Sequence, residues 1–202
     1  MKFSMIAVSL LASGALLASP ALAQGNQPAA GQPAAWTPKF GKDEPKLLQP
    51  VQAAVQAKDW AAATAAVTAA QAAVSSADAK YYLGNALLNI GQATSNAQLK
   101  SQGLDQMIAS GGGDPSQAVM LHKAQSAFAL EAKDYAKAEA ALTRWAQLAP
   151  DDPAAQTAVA ELKFQQKKPQ EALPLFERAI SARKASGQPV PESWYQFALQ
   201  SA

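Results

Sequence analysis

Lys133-Asp134-Tyr135-Ala136-Lys137-Ala138 is a phrase that this chain repeats. Lys58-Asp59-Trp60 is followed three residues on by Ala63, and Lys167-Lys168-Pro169 by Ala172. Between the first two copies, Tyr82-Leu83-Gly84-Asn85-Ala86-Leu87-Leu88 runs to Gly91-Gln92, read here as the close of the matching segment. The steps are then 33 residues (58 to 91), 42 (91 to 133) and 34 (133 to 167). A period near 34 residues is the mark of stacked helix-turn-helix units.

Composition agrees. The chain is alanine-rich, with 7% aromatic residues, which favours helix over sheet. Met1-Lys2, the apolar run Met5–Leu17 and the small-residue site Ala21-Leu22-Ala23 read as a cleavable export signal over residues 1–23. The run is shorter than the ~20 residues of a membrane span. Without Lys2, 16 basic residues face 15 acidic ones, scattered rather than clustered, so nucleic acid is not an expected partner. There is no cysteine, so packing alone must hold the fold, and no lipid attachment at the cleavage site is expected. Residues 24–43, rich in Pro, Ala and Gln, read as a flexible linker. Trp36 and Phe40 within it are expected to pack loosely on the first helix.

From Glu44 onward every segment reads as helix. The chain resembles the tetratricopeptide repeat family over roughly residues 45–202, with Leu83-Gly84 and Leu87 at the family's helix-A positions. The resemblance implies an all-α fold, a right-handed α-solenoid of paired A and B helices. The units fall at about 45–76, 77–115, 119–152 and 153–186, with a terminal helix at 191–202. Trp60, Ala63, Val67 and Ala70 take the helix-B roles of the first unit, Ala138 and Leu142 of the third, and Ala172, Phe176 and Ala179 of the fourth. Gly84 and Gly103 stand where two helices cross. The eight surplus residues of the second unit are expected in an extended loop at Gln92–Asn96, with Ser95 and Gln98 as a capping box. Trp145, where the family has a small residue, should widen the gap to the fourth unit.

Catalytic chemistry has little to stand on. His122 is the one histidine, and zinc sites draw several N or S ligands. Asp43-Glu44 and Asp151-Asp152 sit where helix N-termini attract negative charge. Gly111-Gly112-Gly113 lacks the lysine of a phosphate loop. No metal, cofactor or catalytic residue is expected, and the chain reads as non-enzymatic. The resemblance implies instead a concave face lined by A helices. Its groove positions fall on Tyr81, Asn85 and Asn89, on Lys123, Ala127 and Glu131, on Thr157, Glu161 and Gln165, and on Tyr195. The family's clamp for a terminal carboxylate is matched only at Asn85. The expected function is a protein-interaction scaffold of a Gram-negative envelope, periplasmic or secreted, binding a protein or peptide. The alternative is a structural spacer or assembly module without a peptide groove.

Overall fold

A computed structural model describes residues 36–201, and the expected export signal and most of the linker lie outside them. The chain divides into a unit up to Thr37 and a second from Pro38 onward, and the repeats belong to the second. The described residues hold α1 (Glu44–Gln56), α2 (Trp60–Gln71), α3 (Ala77–Ala93), α4 (Ala97–Ser110), α5 (Ala118–Glu131), α6 (Tyr135–Leu148), α7 (Pro153–Gln165), α8 (Pro169–Ala185) and α9 (Glu192–Ser201), and no strand. Each helix packs mainly on the one before and the one after it, which makes the chain an all-α solenoid of helix-turn-helix repeats.

One local device builds every A–B turn. Lys58, Ser95, Lys133 and Lys167 have φ of 55°, 54°, 59° and 59°, the left-handed region. Around each, the next residue's N–H reaches back to a carbonyl five residues earlier: Asp59 to Ala54 at 3.0 Å, Asn96 to Gly91 at 2.8 Å, Asp134 to Ala129 at 2.8 Å, Lys168 to Lys163 at 3.0 Å. This is the Schellman closure of a helix C-terminus, here with a side chain where glycine is usual. The following residue then caps the B helix. Asp59, Asn96 and Asp134 accept from the N–H groups of Ala62, Leu99 and Lys137, each at 3.0 Å. In the fourth unit Pro169 sets the first helical φ instead.

The second unit therefore turns at Ser95-Asn96, not at Gly91-Gln92, and the steps are 37 (58 to 95), 38 (95 to 133) and 34 (133 to 167). The expected long loop is absent. Helix α3 runs 17 residues against 13, 14 and 13 for α1, α5 and α7, so about one extra turn of helix absorbs part of the surplus. The short 3₁₀ turn Pro115–Gln117 before α5 absorbs more. Asn96, not Ser95, is the cap, because Ser95 is needed in the left-handed position.

The expected crossing of Gly84 and Gly103 is present. A β-carbon on Gly84 would lie 2.8 Å from both the Gly103 oxygen and the Met107 nitrogen. One on Gly103 would lie 2.5 Å from the Leu88 nitrogen. Here α3 and α4 meet backbone to backbone. Elsewhere the small helix-B residues Ala63, Ala138, Ala172 and Ala179 are fully buried, beside Val67, Leu142 and Phe176. Trp145 is buried with Ala155, Val159 and Leu162.

Polar links tie consecutive units. The Lys163 ammonium on α7 meets Glu139 of α6 at 2.5 Å and Glu171 of α8 at 2.8 Å. Hydrogen bonds to these two carboxylates raise the Lys163 pKa. Lys137 of α6 bonds Asp105 and Ser101 of α4, and Asp105 also accepts from Gln125 of α5 at 2.8 Å. At the start of the array Glu44 is only 5% exposed. It accepts from the backbone of Gly41 (2.6 Å), Ser75 (2.7 Å) and Ser76 (2.8 Å), and from the Ser76 hydroxyl at 2.5 Å. Burial alone would push this carboxyl up, but these donors hold it at about 2. Asp78 joins in, accepting from Lys39 at 2.6 Å and Gly113 at 2.9 Å. Phe40 packs edge-on to Tyr82 of α3, ring centres 6.4 Å apart, so the ordered array starts before α1.

Candidate partner-binding face

The groove positions lie on A helices α3, α5, α7 and α9, and the structure treats them unequally. Tyr81 is a correction. It is buried beneath the glycine loop, where a β-carbon on Gly113 would lie 2.4 Å from its ring, and its hydroxyl donates to Gln117 at 2.5 Å. Burial raises its pKa, helped by the nearby Asp114. Thr157 is a second correction. It is 3% exposed and its hydroxyl donates to the Pro153 carbonyl at 2.6 Å, a bond within its own helix. Neither can reach a ligand without rearrangement.

Asn85 is half-buried and Asn89 exposed, and Asn89 donates to the Asn85 amide oxygen at 3.0 Å. The pair thus occupies one lone pair and one N–H of its own. Lys123 and Glu131 are exposed and Ala127 half-buried. The Lys123 ammonium rests 5.0 Å from the Trp145 ring, a cation–π contact to α6. Glu161 is half-buried without an ion pair among the described residues, and burial raises its pKa. Gln165 is exposed, and Tyr195, 38% exposed, lies 5.3 Å from the Lys184 ammonium.

Helix α5 carries two further residues that the sequence reading missed. Met120 is 53% exposed and Leu130 is 37% exposed. With Lys123 and Ala127 they are spaced i, i+3, i+7, i+10, one face of one helix. Extending the Lys123–Ala127 spacing one turn in each direction would have found them. Helix α5 meets its neighbouring A helices through side chains only: Leu121 and Ala124 share a buried cluster with Tyr81 and Leu88, and Ala129 one with Val159.

His122 is half-buried with its Nδ1 unpaired, and burial lowers its pKa. Among the described residues no group of three His, Asp or Glu side chains could hold a metal ion. No helix among them is long and apolar enough to cross a membrane.

No known family profile matches the chain, and no curated protein does. Several solved structures are similar to it, two of them as follows. One, "MamA RS-1 ArsTM double mutant", is 16% identical, with a TM-score of 0.46, covering 71% of this chain and 77% of that one. The other, from "Functional Characterization of Pseudomonas Aeruginosa pilF", is 20% identical, with a TM-score of 0.39, covering 80% and 77%.

Proposed function

We propose that this chain is a non-enzymatic scaffold of a bacterial cell envelope that holds a peptide or protein partner against its A helices. The observation that supports it is the outward stripe of α5. Met120 and Leu130 leave apolar surface in water on a helix whose other face is well packed. A partner that lays an apolar face along this side of α5 would remove that surface from water. Asn85 and Asn89 on α3, and Glu131 at the end of α5, supply polar groups for a partner's backbone and side chains.

The test is capture of partners from an envelope extract. Met120→Glu with Leu130→Glu should abolish capture and leave the helical circular dichroism unchanged, since both side chains are exposed. Undiminished capture would overturn the reading. Loss of capture only on changing B-helix residues such as Glu139 would favour the spacer instead.

A further inference from the structure

The array also carries a crevice whose lining shares no residue with the groove positions or the α5 stripe. It lies at the junction of the third and fourth units, where Trp145 stands in place of a small residue, and has a volume of about 280 Å³. Helices α6, α7 and α8 all contribute to its lining. Ala146, Val159 and Leu175 give it an apolar surface. Two polar groups on that surface are unspent. Gln156 is 7% exposed, yet its side-chain amide makes no hydrogen bond among the described residues. The amide atoms are not fully buried, unlike Trp145 Nε1 or Gln166 Oε1, so water reaches them at the crevice surface and a ligand's acceptor can take that water's place. Arg178 on α8 is exposed and has no ion pair among the described residues. The lining contains no carboxylate, and Gln147 on the rim is held by a second arginine, Arg144, at 3.2 Å.

A concave apolar surface with a free guanidinium and an unpaired amide calls for an anion joined to a hydrocarbon group. We propose that the crevice receives an acidic segment of a partner protein. An apolar side chain would seat on Ala146, Val159 and Leu175, and the adjoining Asp or Glu carboxylate would take Arg178 and the Gln156 amide. This site is separate from the α5 stripe, so the array could hold two segments at once.

The probe is an acetylated, amidated hexapeptide of alternating leucine and glutamate, titrated into the ¹⁵N-labelled protein. Its leucine–lysine counterpart is the control. The glutamate peptide should shift the Gln156 side-chain NH₂ and the Leu175 amide, and the lysine peptide should not. Arg178→Glu should weaken binding about tenfold, the usual scale for one charge-assisted hydrogen bond. The Asn85→Ala, Asn89→Ala variant should bind as the parent does, which separates this site from the A-helix face. Three results would overturn the proposal: no shift at Gln156 at millimolar peptide, an Arg178→Glu affinity equal to the parent's, or equal response to the lysine peptide.

Discussion

Gly103→Ala puts a single methyl group where the backbones of α3 and α4 meet. In an exposed helix interior this change stabilises by about 1 kcal/mol, because alanine is the better helix former. Here the sign should reverse. The new β-carbon would lie 2.5 Å from the Leu88 nitrogen, and ordinary contact begins at 3.4 Å, so the helices must part by about 0.9 Å. The obstacle is backbone, which cannot rotate aside as a side chain can. Overpacking of this kind costs ~1–3 kcal/mol. Set against the propensity gain of about 1 kcal/mol, the net loss should reach about 2 kcal/mol at most, or up to roughly 8 °C in Tm for a chain of this size. Gly84→Ala requires a smaller separation, about 0.6 Å from 2.8 Å, and should cost less. Differential scanning calorimetry gives the order. Repeat arrays need not unfold in one step, so amide exchange in α3 and α4 should locate the loss there. A rise in Tm for Gly103→Ala would refute the backbone contact.

Four further outcomes follow from the same structure. Glu44→Gln should cost about 1–3 kcal/mol at neutral pH, since four donors lose their anion. The folded Glu44 pKa lies below its ordinary 4.5, so its stabilisation is present above pH 4.5 and disappears as pH falls toward 2, and urea titrations across that range should be flatter in the variant. Lys133→Gly should stabilise by about 0.5–1 kcal/mol by relieving the left-handed side chain, read as a higher urea midpoint. Asn85→Ala with Asn89→Ala should weaken partner capture in the pull-down while changing stability by under ~0.5 kcal/mol. N-terminal sequencing of exported protein should begin at Gln24, and an intact Met1 would refute signal cleavage.

Helix identity and helix order were legible because they rest on short-range signals: caps, alanine content and spacing. The Gly84–Gly103 crossing was legible too, since glycine in mid-helix is unfavourable unless something needs the room. The turn of the second unit was misread for a related reason. Gly91 looked like a helix end, but its missing side chain serves packing: a β-carbon there would lie 2.6 Å from the Lys100 nitrogen. The true turn residue, Ser95, carries no signature, because any side chain can be forced left-handed once the carbonyls behind it are bonded. The candidate site was less legible. Whether Tyr81 is groove or core depends on where Gly113, 32 residues later, folds back. The donors to Glu44 lie at Gly41 on one side and at Ser75 and Ser76, 31 and 32 residues away, on the other. Helix and turn signals act over a few residues and do not see partners nearly a whole repeat away.

The contrast between the α3–α4 crossing and the other junctions has a mechanical meaning. Where α6, α7 and α8 are joined, much of the polar grip comes from the single ammonium of Lys163. Where α3 and α4 are joined, main chain rests on main chain and nothing can yield by a change of rotamer. Each hairpin is also closed by its own Schellman bonds, so it can detach as a piece. Pulled from its two ends, the array should shed hairpins in separate force steps, with the second hairpin the last to open. An array loaded in this way would then have one fixed link, and the outward stripe of α5 begins directly beside it.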